Sequence, residues 1–204
     1  QREISEFVQR LKKLLSYNLG KEGCQTTLRR ELEIVKEYIA LQQMRYDFII
    51  EMNIEDGSYL DQPTVRMLFQ PLVENAIRYG LGDDEKISIQ VFEDVARHLA
   101  VVTISDSGKG LNQEEIDEIN QPFDYDWEYW KNENRGIGLR YVKAMLESFY
   151  DGQTSLFVNS KKGFGTKITI LLPVREPEEK KEKDKEVTLE ENKVGQTDER
   201  IDCR

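Results

Sequence analysis

An alternating segment followed closely by an apolar one constrains the fold of this chain most strongly. Residues 86–93, with the sequence KISIQVFE, place an apolar side chain at nearly every second position, and residues 99–104 are almost entirely apolar. Alternation with a period of two is typical of β-strands that bury one face. The residues between the two segments, Val95–His98, suffice for a turn. The pair therefore predicts an antiparallel hairpin whose apolar face must be covered by other elements.

Helical periodicity elsewhere in the chain predicts that cover. Apolar residues recur at intervals of three and four in residues 3–19 and 27–46, and further helical segments are predicted at 63–80, 113–119 and 136–149. Because proline cannot donate a helix hydrogen bond, we expect a break or a fresh start at Pro71. The remaining strands are predicted at 48–54, 154–159 and 166–172. This order predicts the α/β class, as a two-layer α/β sandwich with a mixed sheet in one layer and helices in the other.

Composition divides the chain into three segments. Residues 1–24 hold the first helix and a linker, and residues 25–174 hold enough apolar residues for one domain with its own core. Residues 175–204 are highly charged and almost free of apolar residues. They are predicted to be disordered, because they cannot bury enough surface to offset the entropy of ordering. The sequence opens without methionine and inside a helical pattern, so we interpret it as part of a longer protein.

Charge and cysteine content exclude several classes of function. The formal net charge is -10, so the chain has no general electrostatic attraction for nucleic acid, and no nucleic-acid partner is expected. Its two cysteines, Cys24 and Cys203, lack the spacing of a zinc site or a disulfide framework. Free thiols fit a reducing cytosol. No apolar run is long enough to cross a bilayer.

Two segments carry polar residues in apolar surroundings, one inside a predicted helix and the other at the end of a predicted strand. In Pro71–Gly80 (PLVENAIRYG), Glu74 and Asn75 interrupt an apolar helix segment, so they either face solvent or line a pocket. In Asp106–Gly110 (DSGKG), a carboxylate follows an apolar strand, and the adjacent glycines allow close approach of a ligand to the backbone. An ordinary Asp-Gly turn is the alternative for this second segment.

Two further segments are rich in glycine. Arg135–Leu139 (RGIGL) precedes a predicted helix, whose free N–H groups and partial positive charge suit a phosphate group, although a plain loop-to-helix junction is also possible. It is not a Walker A loop, because no Gly-Lys-Ser/Thr follows. Gly163–Thr166 (GFGT) leads into the last strand, where a hairpin turn is the alternative. The order of all four segments is more specific than any one of them.

Taken in order, the four segments resemble the N, G1, G2 and closing Gly-Thr boxes of the GHKL ATPase superfamily. This superfamily of the Bergerat fold groups gyrase, the Hsp90 chaperones, histidine kinases and MutL. PLVENAIRYG, with the preceding LRRELEIVKEYIALQQMRYDF, is similar to the LytS/YesM-type branch of sensor histidine kinases. The resemblance covers about residues 10–173. It implies the ATP-binding catalytic domain of a histidine kinase, with residues 3–19 as part of a dimerisation helix.

The resemblance also implies a role for each matching residue, with ATP and Mg²⁺ as cofactors. Glu74 would polarise or deprotonate the attacking imidazole, Asn75 would bind the Mg²⁺ that bridges the phosphates, and Asp106 would accept a hydrogen bond from the adenine amino group. The other implied nucleotide-binding residues are Arg78, Tyr79, Gly108, Gly110, Gly136, Gly138, Leu139 and Thr166.

The implied reaction is phosphoryl transfer from ATP to a histidine, and then to an aspartate of a response regulator receiver domain. The branch carries its acceptor in a His-Phe-x-Tyr-Asn stretch that this chain lacks, and the only histidine, His98, falls at the predicted hairpin turn. We therefore expect the acceptor on a helix absent from this sequence, in the same or a partner protomer of a homodimer. The parent protein is expected in the bacterial membrane, with this domain in the cytoplasm. Two alternatives stay open: a degenerate nucleotide-binding or interaction module, and another GHKL ATPase such as an anti-sigma-factor serine kinase.

Overall fold

The computed structural model describes residues 2–20, 26–81, 86–120 and 137–174. The helices are α1 (Arg2–Asn18), α2 (Leu28–Gln43), α3 (Gln70–Tyr79), α4 (Gln113–Asn120) and α5 (Ile137–Phe149), with short 3-10 turns at Ser58–Asp61 and Val95–Arg97. The strands are β1 (Thr26–Thr27), β2 (Ile49–Ile54), β3 (Pro63–Thr64), β4 (Lys86–Asp94), β5 (Leu99–Asp106), β6 (Ser155–Ser160) and β7 (Thr166–Pro173). Residues 175–204, for which disorder is predicted, lie outside the described residues.

The main sheet has five strands in the order β2-β4-β5-β7-β6. β2 pairs with β4 in parallel and the other pairs are antiparallel, so the predicted mixed sheet is confirmed. β4 and β5 form the predicted hairpin around Val95–His98. The register sets Asp106, the last residue of β5, opposite Thr166, the first residue of β7. Two of the four sequence segments therefore meet at one end of the sheet.

One face of the sheet is buried under helices α2, α3 and α5, which confirms the two-layer arrangement. On the sheet side Ile87 and Ile170 are fully buried, and on the helix side Leu72 and Val73 are fully buried. Burying a side chain of this size contributes about 1.5–3 kcal/mol. The helices that carry the first and third segments thus pack on the sheet through the core.

Helix α1 packs on its own domain through one side only. Leu14 and Tyr17 pack against Ile34 of α2, and Arg10 and Lys13 form ion pairs with Glu37 at 2.6 and 2.7 Å. An apolar stripe on another side of α1 is exposed: Ile4, Phe7, Val8, Leu11 and Leu15. The helix is therefore docked on its own domain while it keeps an apolar face open.

Residues 63–69 are not helical, which corrects the expectation of a helical region over 63–80. Pro63–Thr64 pairs with β1, and Met67 has a left-handed backbone with φ 57°. The physical reason is that main-chain N–H groups of this segment bond to the buried carboxylate of Glu31 instead of to helix carbonyls. The fresh start at Pro71 is confirmed, since α3 begins at Gln70 with the proline in its first turn.

Candidate functional site

Asp106 anchors the site at the end of β5. Its Oδ1 atom accepts two main-chain hydrogen bonds, from Gly108 and from Thr166, each at 3.1 Å. Among the described residues no donor bonds to Oδ2, so that oxygen can take a ligand donor. Burial raises the pKa of the Asp106 carboxyl, and the two N–H groups oppose that rise. The β5 end therefore holds a carboxylate in a fixed orientation.

Two glycines let the C-terminal end of α3 contact the loop after β5. A methyl group on Gly108 would lie 2.4 Å from the Cα of Gly80 and 2.5 Å from the carbonyl oxygen of Tyr79. A methyl group on Gly80 would lie 2.5 Å from the Cβ of Asp106. These distances are far below van der Waals contact, so only glycine fits at either position. The first and second segments are therefore in direct backbone contact.

A second pair of glycines joins the second and fourth segments. Gly110 and Gly165 both have positive φ, 63° and 85°, which favours glycine. A methyl group on Gly110 would lie 2.1 Å from the carbonyl oxygen of Lys161, and one on Gly165 would lie 2.0 Å from that of Asp106. The GFGT turn is thus packed directly on the backbone of Asp106.

The third segment meets the first at Gly138. A methyl group on Gly138, in the first turn of α5, would lie 3.3 Å from Nδ2 and 3.9 Å from Oδ1 of Asn75. The amide of Asn75 therefore faces the N-terminal turn of α5, where helix N–H groups carry partial positive charge. Glu74, beside it, is exposed, and burial together with the charge of Glu74 raises the pKa of Tyr38 to about 12.

Helix α3 connects the two halves of the site. Asn75 and Gly80 are five residues apart, so about 7.5 Å of helix separates the amide from the contact with Asp106. The structure thus brings together the predicted residues Asn75, Asp106, Gly108, Gly110, Gly138 and Thr166. Gly136 lies outside the described residues.

The other predicted residues occupy the rim and the core. Arg78 and Tyr79 are exposed at the end of α3, and Nζ of Lys109 lies 4.9 Å from the centre of the Tyr79 ring. Leu139 is only 5% exposed and its side chain belongs to the hydrophobic core. A direct role for Leu139 in the site is therefore limited to its main chain.

Three glycine or serine residues and one lysine of the site were not predicted from the sequence. Gly80 and Gly165 both contact Asp106, and each was present within a recognised segment. Their spacing from the assigned residues was the available signal. Lys109 and Ser107 carried no separate signal, although Ser107 has a buried Oγ without a hydrogen-bond partner among the described residues.

Comparison with known families identifies the fold. The model of the family described as Histidine kinase-, DNA gyrase B-, and HSP90-like ATPase matches residues 60–176, more than half of the chain. The chain belongs to this ATPase family. A second model, described as Histidine kinase, matches residues 1–49. Together the two matches place the chain with the histidine kinase members of the family.

Curated relatives agree with this assignment. Sensor protein kinase HptS of Staphylococcus aureus (strain bovine RF122 / ET3-1) is 30% identical over 168 residues, which cover 82% of this chain and 32% of the relative. The protein of the same name from strain USA300 matches over the same proportions. The chain therefore spans about a third of the length of these relatives. The resemblance to the LytS/YesM-type branch stays a prediction.

Solved structures share the fold. The catalytic domain of histidine kinase ThkA aligns with a TM-score of 0.54 and 16% identity, over 74% of this chain and 94% of that one. Acinetobacter baumannii histidine kinase AdeS aligns with a TM-score of 0.53 and 17% identity, over 86% of this chain and 80% of that one. At such identities the likeness establishes the fold only. Among the described residues, no helix has the length and apolar character needed to span a membrane.

Proposed function

We propose that residues 25–174 form the ATP-binding catalytic domain of a sensor histidine kinase. This domain transfers the γ-phosphoryl group of magnesium-bound ATP to a histidine side chain. The observation that supports the proposal most directly is the meeting of Asn75, Asp106 and the glycine backbone in one site of a chain that belongs to an ATPase family.

The residues present fit a nucleotide with a magnesium ion. Gly108 and Gly110 pack so closely on neighbouring backbone that no side chain fits, and this packing fixes the loop beside the Asp106 carboxylate. The amide oxygen of Asn75 is a hard ligand, and Mg²⁺ usually combines one or two such protein ligands with phosphate oxygens and water. Among the described residues no group of three or more His, Cys, Asp or Glu forms a metal site of another kind.

Asp106 recognises adenine in this proposal. Its Oδ2 atom accepts a hydrogen bond from the exocyclic amino group, while the N–H groups of Gly108 and Thr166 hold Oδ1. A purine with a carbonyl group at that position would set two acceptors against each other, which leaves a buried polar group unpaired. The carboxylate therefore selects adenine.

Asn75 and the start of α5 position the phosphates. The N–H groups at Gly138 and Leu139 lie in the first turn of α5, where helix N-termini bind anions. When bound, magnesium-ATP supplies the electrophilic γ-phosphorus, and its metal neutralises the developing charge. Gly136 is proposed to contribute a further N–H group. Arg78 and Tyr79 at the rim are proposed to contact the nucleotide, beside Lys109.

Glu74 acts on the acceptor. Its exposed carboxylate, next to Asn75 on α3, accepts the proton from one nitrogen of an incoming imidazole. The lone pair of the other ring nitrogen then attacks the γ-phosphorus, and the bond to the β,γ-bridging oxygen breaks, with ADP as the leaving group.

The acceptor histidine comes from outside the domain. His98, the only histidine of the chain, lies at the far end of β5 from Asp106. The eight residues of this strand span roughly 24 Å, too far for His98 to reach its own site.

We propose an acceptor helix of the same or a partner protomer in a homodimer that uses the exposed stripe of α1. We further propose a receiver domain as the next acceptor and a membrane-anchored parent with this domain in the cytoplasm, which the relatives named sensor protein kinases support.

A nucleotide titration followed by a transfer assay tests the proposal. A fluorescent ATP analogue should bind the purified chain more tightly with Mg²⁺ than without it, and Asn75→Ala should remove that gain. A histidine-bearing dimerisation helix added in trans should then acquire acid-labile phosphate from labelled ATP. Absence of nucleotide binding by the wild-type chain would refute the proposal, whereas binding that ignores Mg²⁺, without transfer, would favour a degenerate nucleotide-binding module.

A further inference from the structure

Glu31 is a buried carboxylate that the proposed reaction does not use. It lies on α2 with 2% of its surface exposed. Its Oε1 atom accepts hydrogen bonds from the Tyr17 hydroxyl and, at 2.9 Å, from the N–H of Met67. Its Oε2 atom accepts from the N–H of Leu68 at 2.7 Å. A buried charge needs partners of this kind to offset the loss of hydration, so Glu31 is bonded to two separate parts of the domain.

The first of these parts is the entry to α3. Met67 has φ 57°, which is uncommon for a residue other than glycine. Successive N–H groups around such a residue can point to one side and form an anion-binding concavity. Helix α3 begins two residues after Leu68, and its N-cap residue, Phe69, makes no side-chain capping bond. The carboxylate of Glu31 therefore places negative charge at a helix N-terminus that lacks a cap of its own.

The second part is the last turn of α1. Tyr17 is 1% exposed, and its hydroxyl also lies 2.9 Å from Oγ1 of Thr26. From the other side, Nη1 of Arg66 donates to the Tyr17 carbonyl oxygen at 2.6 Å, and the guanidinium carbon lies 4.3 Å from the ring centre. The segment that enters α3 is thus bonded to the end of α1 through both Arg66 and Glu31.

We propose that Glu31 is a positioning residue that sets the placement of α3 according to the position of α1. Asn75 follows Leu68 by seven residues, about two helical turns or 10 Å. The opposite end of α3 is fixed where Gly80 packs on Asp106. A change at Glu31 therefore moves Asn75 and Glu74 while the carboxylate of Asp106 stays on the sheet. This inference rests on the proposed function, since it assigns a regulator to the same site.

The arrangement predicts that a substitution of Glu31 affects binding of the adenine base and binding of the magnesium-phosphate group to different extents. Adenosine contacts only the part of the site built on Asp106. Magnesium-ATP also depends on the position of Asn75. A general loss of stability would lower the affinity for both ligands to the same extent. The ratio of the two affinities therefore distinguishes an effect on the position of α3 from an effect on folding.

The test is Glu31→Gln in the full chain. Glutamine is nearly isosteric but presents one acceptor and an NH₂ donor to the N–H groups of Met67 and Leu68, so one of them loses its partner. We expect adenosine affinity to stay within about twofold of wild type, while the Mg²⁺-dependent gain in affinity for a fluorescent ATP analogue falls about tenfold. Equal weakening of both ligands, or no change in either, would overturn the proposal.

Tyr17→Phe removes the hydroxyl that links Glu31 to α1 and leaves the carboxylate itself in place. We expect faster amide hydrogen exchange in the peptide that contains Met67 and Leu68. We also expect an Mg²⁺-dependent gain that is about two- to threefold smaller, because the carboxylate keeps both of its main-chain partners. Tyr59→Phe is the matched control, because it removes a buried hydroxyl that donates to the carbonyl oxygen of Glu55. If Glu31→Gln does not fold, Tyr17→Phe alone tests the proposal. Amide hydrogen exchange and an Mg²⁺-dependent gain in affinity equal to those of Tyr59→Phe would then overturn it. Failure of the wild-type chain to bind any nucleotide would instead refute the proposed function.

Discussion

The substitution Asp106→Asn should separate adenine recognition from folding. Oδ1 of Asp106 accepts from the N–H groups of both Gly108 and Thr166, so an asparagine must turn its carbonyl oxygen toward them. Its NH₂ group then occupies the position of Oδ2. The variant keeps both contacts that fix the end of β5, but it presents a donor where the adenine amino group needs an acceptor.

The magnitude follows from the bond that is lost. A hydrogen bond to a charged group contributes about 1.5–3 kcal/mol, which corresponds to roughly 10- to 150-fold weaker binding of adenine nucleotides. Stability should change by less than about 1 kcal/mol, because the two main-chain bonds remain. Burial raises the pKa of this carboxyl, so removal of its charge also removes a cost of folding.

The assay compares ATP with inosine triphosphate by competition against a fluorescent analogue, with thermal unfolding as the check on stability. Asp106→Asn should bind ATP more weakly and inosine triphosphate more tightly than wild type does, because the NH₂ group can donate to the 6-oxo group. Asp94→Asn is the matched control, since its carboxylate also accepts a main-chain N–H, that of Arg97, at the other end of the hairpin. ATP affinity within twofold of wild type in Asp106→Asn, or an equal loss in both variants, would show that Asp106 is not the adenine acceptor.

Three further changes have defined outcomes. Gly108→Ala sets a methyl group 2.4 Å from a neighbouring Cα, so overpacking of about 1–3 kcal/mol should lower both the Tm and nucleotide affinity. Gly152→Ala, whose methyl meets nothing within 4 Å but whose φ of 73° favours glycine, should lower the Tm and leave nucleotide affinity unchanged in the same titration. Acidification should weaken adenine-nucleotide binding at a higher pH than an ordinary aspartate would show, because burial raises the pKa of Asp106 and binding needs its ionised form. Nucleotide titrations at stepped pH measure this, and an affinity that stays constant across that pH range would contradict it. Glu37→Gln breaks the two ion pairs that join α1 to α2, and because these groups are partly exposed, the free energy of unfolding should fall by at most about 1 kcal/mol. Urea denaturation at low and high salt should show this difference shrinking as the salt rises.

Much of the fold could be predicted because most of its elements bury one face. The helical period of α2 and its N-cap residue Thr27, whose side chain accepts from the N–H of Arg30, are local signals that survive in the structure. The hairpin of β4 and β5 follows from apolar runs on either side of a short turn. The meeting of Asp106 with the GFGT turn could be predicted for a related reason: both lie at strand ends, and the ends of paired neighbouring strands lie side by side.

The remainder depends on contacts that leave no pattern in the sequence. Glu31 has the sequence context of a solvent-facing charge on an amphipathic helix, yet it is bonded to main-chain N–H groups 36 and 37 residues away. Main-chain donors have no residue type, so neither the burial of Glu31 nor the non-helical path at Met67 could be predicted. Leu139 shows the converse, since it was assigned to the site by resemblance and its side chain packs in the core.

The two ends of α3 are held by contacts of different kinds, and this difference bears on regulation. The C-terminal end is fixed by glycine packing against Asp106, which depends on shape and allows little adjustment. The N-terminal end is held by hydrogen bonds to the carboxylate of Glu31, which is itself bonded to α1 through Tyr17. Under the proposed roles, adenine affinity should stay nearly constant when α1 is displaced, because Asp106 remains on the sheet. Displacement of α1 should instead alter how Asn75 and Glu74 hold the magnesium-phosphate group, so the signal acts on the phosphates rather than on adenine recognition.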